Sequence, residues 1–140
     1  MFMPQLFTDQ HNPKERKLSD IDKINRIIGA AILRRINEQG IKLQWLADKC
    51  FHPNNLGRQL RGGNIHSLLL LRISMELKTD FFVFYSIYQK NPNNITEEEQ
   101  EGVHSLYVLL NDVEKIDEPD GIVYLDKLLN YLDKLSKITG

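Results

Sequence analysis

A single cysteine in 140 residues excludes an intramolecular disulfide, and the four histidines form no Cys/His spacing of a zinc site. No apolar run approaches the ~20 residues a membrane-crossing helix needs. The opening stretch MFMPQLFTDQHNPKERK lacks a sustained apolar segment behind basic residues, so it does not read as a secretory signal. A cytoplasmic protein with no membrane partner is therefore expected. Gly-rich phosphate loops are missing. Cys50 and His52 lie two residues apart across a helix end with no third orienting group, a poor basis for a nucleophile and its base. No cofactor, no metal and no enzymatic activity are expected. Net charge is nearly absent too, at −1.

What is present is ordinary for one globular domain with a small appendage: 41% hydrophobic and 26% charged residues. The charge is unevenly placed. Met1 to Lys90 carries 14 Lys and Arg against 8 Asp and Glu, a net +6, and Asn91 to Gly140 carries 4 against 11, a net −7. A basic working part and an acidic appendage follow. A duplex attracts the first, because neutralising phosphates releases counterions, and repels the second.

The most informative stretch is GIKLQWLADKCFHPNNLGRQLRGG, Gly40 to Gly63. Leu43, Leu46, Ala47 and Cys50 fall at i, i+3, i+4, i+7, one apolar face of a short helix. Pro53 predicts a stop and a restart, since proline suits a first helical position. The next segment keeps only Leu56 and Leu60 for a core and otherwise offers Asn54, Asn55, Arg58, Gln59 and Arg61. Arginine fits guanine O6 and N7, and asparagine or glutamine fits adenine N6 and N7. These five residues are the candidate base readers of double-stranded DNA, with Asn55, Arg58 and Gln59 placed outward when the two leucines face in.

Around this stretch, residues 1–18 have little periodicity and read as a mobile arm, with Lys14, Arg16 and Lys17 as a small charged cluster. Ser19 or Asp20 caps a first helix whose Ile21, Ile24, Ile28, Ala31, Ile32 and Ile36 share a side, and Gly40 stops it. Trp45 is expected over the core edge. Leu68 to Leu71 is apolar nearly all round and predicts the centre of a bundle. Phe81, Phe82, Phe84, Tyr85 and Tyr88 continue as a fifth helix. Asn91-Pro92-Asn93-Asn94 breaks the chain, and Thr96 with Glu99 forms a capping box. Val103, Leu106, Leu110 and Val113, then Ile122, Leu125, Leu129 and Leu132, give two matching seams. They predict an acidic helical hairpin at 95–140 that packs on itself and on a second copy, or folds back on the bundle.

From about Ile27 to Ser86 the chain resembles the lambda-repressor-like, xenobiotic-response-element (XRE) family of helix-turn-helix domains. The carriers are IIGAAILRRI, WLADKC and LLLLRISMELKTDFFVFYS, in that order and spacing. The resemblance implies an all-α fold in which residues 19–90 form a five-helix bundle with its third helix in the major groove. It also implies that the end of the first helix and the amino end of the second face the DNA backbone. Arg34, Arg35, Lys42 and Gln44 are thus the candidate phosphate contacts. Gly57 stands where the family has an apolar residue, so Leu56 is expected to take that role one position early. His66 stands where the family has a small cap, so Ser67 is expected to cap instead. The resulting expectation is a bacterial homodimeric DNA-binding transcriptional regulator. The alternatives are an antitoxin-like module whose C-terminal helices bind a partner protein, and a helix-turn-helix that has lost DNA binding.

Overall fold

A computed structural model describes residues 19–51, 55–90 and 93–139. The expected arm at 1–18, the turn residues His52 and Pro53, the candidate base reader Asn54, and Asn91-Pro92 lie outside the described residues. The architecture is all-α, with no strand among the described residues. The helices are α1 (Asp20–Glu38), α2 (Leu43–Lys49), α3 (Leu56–Gly62), α4 (Ser67–Leu77), α5 (Val83–Gln89), α6 (Glu97–Asn111) and α7 (Pro119–Thr139), with a 3-10 turn at Val113–Lys115. No described helix is long and apolar enough to cross a membrane.

The helix ends follow from local chemistry. Ser19 Oγ accepts the Asp22 N–H at 3.2 Å, and Asp20 and Asp22 sit where the helix dipole favours carboxylates. Gly40, at φ +68°, turns the chain so that the Ile41 N–H reaches the Ile36 carbonyl at 2.9 Å. Thr96 and Glu99 make the full capping box on α6. At α4 the cap differs from expectation. The His66 Nδ1 accepts the Leu69 N–H at 3.3 Å, and Ser67 is the first helical residue. Phe81 and Phe82 precede α5 rather than open it, because the Asp80 carboxylate takes the Phe82 N–H at 3.0 Å and holds a turn there.

One hydrophobic core runs through the whole described chain. Its centre is α1, which packs against α3, α5, α6 and α7. Ile24, Ile27, Ile28, Ala31 and Ile32 are all fully buried, whereas Ile21 is exposed. The expectation that α4 is the centre is corrected: Leu69, Leu70 and Ile73 face in, while Leu68 and Leu71 are exposed on the opposite side. Two apolar faces on one helix do not require burial of both.

The acidic hairpin shares that core. Lys134 meets Glu101 at 3.7 Å and the Tyr131 ring lies against Gly102, so α6 and α7 run antiparallel. Val103, Leu106, Leu110, Val113, Leu125, Leu129 and Leu132 are buried within the chain, and Ile122 is half-buried. These seams are therefore covered within the chain. The reason is that α1 supplies a third apolar surface between them, so their burial is completed internally.

Candidate nucleic-acid interface

The site begins with how α3 is held. Its Leu56 and Leu60 are buried, as the sequence pattern requires. Helix α1 approaches it at Gly29, where a Cβ would stand 1.7 Å from the Leu60 carbonyl oxygen. One turn earlier on α1, the Arg26 backbone abuts Gly63, where a Cβ would lie 2.8 Å from the Arg26 nitrogen. Gly63 also takes the left-handed conformation that ends α3, at φ +74°. Two glycines, one beside each helix, therefore seat α3 backbone-on-backbone against the central helix. The carbonyl contact leaves little freedom to slide or rotate.

The helix starts at Leu56, three residues after Pro53. Asn55 flanks it in the left-handed region at φ 64°, without a capping hydrogen bond from its side chain. Gly57 is buried rather than apolar and outward. Its missing side chain is filled by Leu43 from α2, and the Arg61 guanidinium reaches van der Waals contact with the same spot. Leu56 takes the core role one position early, as expected, and the glycine lets α2 and α3 close together.

Between these two short helices lies an open cleft of about 400 Å³, lined by Leu43, Gln44, Ala47, Asn55, Leu56, Gly57, Arg58 and Arg61. Four of the predicted site residues meet there: Gln44, Asn55, Arg58 and Arg61. Gln44 Nε2 donates to Asp48 at 2.8 Å, which fixes the amide on the helix surface. Arg58 and Arg61 are both exposed, and neither makes a salt bridge among the described residues. Two unneutralised guanidinium groups beside two primary amides make a donor-rich, cationic surface. Gln59 is different. It is half-buried, and its carbonyl oxygen is buried without a partner among the described residues. Its place on α3 turns it partly away from the outer face.

Lys42 sits exposed at the amino end of α2, next to the cleft but outside its lining. Arg34 and Arg35 are not brought to this surface. Arg34 forms a bidentate pair with Asp126, Nε to Oδ1 at 2.9 Å and a terminal nitrogen to Oδ2 at 3.1 Å. Arg35 reaches both carboxylate oxygens of Asp133 and the Leu129 carbonyl. The Asp126 hydrogen bond raises the Arg34 pKa against the opposing effect of burial. Their assignment to phosphate is corrected: the acidic appendage folds back, and α7 brings the Asp126 and Asp133 carboxylates to the tips of these two arginines.

The sequence reading missed two supporting groups and misplaced a third. Gly29 positions α3, and a glycine amid IIGAAIL is itself a signal of close backbone approach. Arg72 donates to the Cys50 carbonyl at 3.3 Å and covers the Phe51 ring at 5.2 Å, so α4 fixes the carboxyl end of α2. Trp45 is more exposed than expected and carries the Lys49 ammonium 5.5 Å from its ring centre. Cys50 packs as expected, and burial, with a lesser push from Glu76, raises its thiol pKa against the opposing effect of Arg72.

Comparison with family models, with curated proteins and with solved structures returns no match to this chain. The reading of the site accordingly rests on its own chemistry.

Proposed function

We propose that the protein is a sequence-specific, double-stranded DNA-binding transcriptional regulator. In this reading α2 and α3 form a helix-turn-helix, and α1 to α5 take a lambda-repressor-like arrangement. Helix α3 enters the major groove, where Asn55, Arg58 and Arg61 meet base edges and Gln59 contributes less. Lys42 and Gln44, at the amino end of α2, lie against the phosphate backbone. The observation that carries the reading is the outer face of α3: two arginines with no salt bridge among the described residues, beside the outward Asn55 amide, on a helix seated from behind by Gly29 and Leu60. A groove-reading helix needs that combination, because base discrimination depends on donors that stay in register. Each good bidentate base contact is worth roughly 1–3 kcal/mol.

One seven-residue helix offers few such contacts. A homodimer doubles them and places two copies of α3 about one DNA turn, ~34 Å, apart. The appendage suits this role by turning two of its carboxylates inward. Asp126 and Asp133 are turned onto Arg34 and Arg35 instead of toward the duplex.

The test is selection from randomised duplexes with the full-length protein, followed by affinity measurements across a salt series. Selection should yield a defined site, and affinity should fall steeply with salt. Arg58→Ala and Arg61→Ala should each flatten sequence preference at one position if they read bases. If either contacts phosphate, its loss should weaken all sequences alike and reduce the salt slope by about 1. A protein that shows no salt-dependent retention of any duplex at low ionic strength would remove this function.

A further inference from the structure

Arg61 is the sixth residue of the seven in α3, near the carboxyl end. A groove-reading helix meets base edges mainly with its amino-terminal residues, so an arginine at that place would stand at the wrong end. Its guanidinium does not stay there. A Cβ at Gly57 would lie 3.4 Å from both terminal nitrogens of Arg61, so the side chain is folded back one turn and ends beside the second helical residue. Helical side chains lean toward the amino end and cover the residue four positions earlier, so the direction is ordinary. The residue covered is not. Gly57 leaves the place open, and Leu43 Cδ2 from α2 approaches the same spot, 2.8 Å from where the Cβ would be. Any larger residue there competes with both Leu43 and Arg61.

We propose that Gly57 is the positioning residue for Arg61: by leaving this place open it lets the guanidinium lie back toward Asn55 and Arg58, where Arg61 reads the edge of a guanine. The inference rests on the DNA-binding reading and assigns one base within it.

The surroundings of Arg61 favour that assignment. Asn55, Gly57, Arg58 and Arg61 all line the cleft between α2 and α3, which gathers the donors of α3 in its amino-terminal half. No carboxylate lines that cleft among the described residues. The Asp48 carboxylate of α2 instead takes a hydrogen bond from Gln44 Nε2 at 2.8 Å. Arg61 is exposed and makes no salt bridge among the described residues, so its donors are left for acceptors that arrive from outside. A planar guanidinium matches two adjacent acceptors, and guanine O6 and N7 are such a pair. A side chain already resting against the helix also has less freedom to lose on binding than one extended into water.

The test is selection from randomised duplexes with the full-length protein, run in parallel on wild type, Arg61→Ala, Gly57→Val and the double variant. Wild type should select a guanine at one position that Arg61→Ala no longer prefers, a loss of about 5- to 150-fold in discrimination there. Gly57→Val keeps the arginine but fills its seat, and should lose preference at that same position. The double variant should lose no more than either single one, because two changes that break one contact do not add. Gly57→Ala should keep the preference, since its Cβ meets the guanidinium at an ordinary 3.4 Å and displaces only the flexible end of Leu43. Circular dichroism checks that the variants fold. Where Gly57→Val alone does not, its combination with Leu43→Ala returns volume at the clash and carries the same expectation. Four results overturn the proposal and leave the regulator reading standing: preference intact in Gly57→Val, a loss in Gly57→Val spread over every position, additive losses in the double variant, or no selected position that depends on Arg61. A wild type that selects no duplex overturns both.

Discussion

Replacing Gly29 by alanine adds one methyl group at the contact that seats α3. On an unmoved backbone the new Cβ would stand 1.7 Å from the Leu60 carbonyl oxygen and 2.6 Å from its carbon. Ordinary van der Waals contact begins at 3.4 Å, so α1 and α3 must separate by well over an ångström. The obstructing atoms are backbone, and no side-chain rotation relieves them. Overpacking of this kind costs about 1–3 kcal/mol. Alanine in a helix interior recovers about 1 kcal/mol relative to glycine, which leaves a net loss of up to about 2 kcal/mol. Gly62→Ala is the matched control, since a Cβ at that helical position meets nothing within 4 Å. It should be neutral or stabilising by up to about 1 kcal/mol. Urea denaturation of the two variants beside wild type measures both effects. Duplex affinity measured under native conditions then reads whether α3 has moved: Gly29→Ala should lose at least tenfold, roughly 1.4 kcal/mol, even where the protein remains folded. A Gly29→Ala protein as stable as wild type and equally able to bind its site would refute the claim that this contact fixes the helix.

Arg35→Ala should destabilise the fold by about 1–3 kcal/mol, because it removes a largely buried guanidinium with three hydrogen bonds to α7. It should leave the salt dependence of duplex binding unchanged, and a reduced slope would return Arg35 to the phosphate-contacting group. Deleting residues 94–140 should expose one side of α1 and yield an aggregating or partly folded protein; a soluble fragment with a cooperative unfolding transition would contradict the shared core. Burial first, and then the Asp20 hydrogen bond, push the Tyr88 phenol up to about 12 from an ordinary 10. A raised pKa in the fold means that its stabilising contribution is complete below pH 10 and is lost as pH rises toward 12. Burial also raises the Tyr85, Tyr107 and Tyr131 phenols, so tyrosinate absorbance should show several delayed ionisations in the folded protein, and Asp20→Asn should bring that of Tyr88 only partway down. An Asp20→Asn protein with Tyr88 at its ordinary value would show that burial is not the larger cause.

The sequence alone determined what local chemistry controls. Helical periodicity, with Ser19, Gly40 and the Thr96–Glu99 box at the ends, defines most helices, since caps act within a turn of the chain. The pair Leu56 and Leu60 determined which side of α3 faces in, and so which of its polar residues face out. Tertiary structure decided the rest, because it depends on which surfaces compete for the same partner. Both sides of α4 are apolar, and only packing within the bundle, where α4 meets α2, decided which one remained exposed. The hairpin seams could pair with a second copy or with their own chain, and α1 was near enough to complete them. Arg34 and Arg35 were equally suited to phosphate or carboxylate, and the carboxylates of α7 lay within reach. A charged side chain carries its chemistry in the sequence, but its partner is set by whatever the fold brings to within about 3 Å of it.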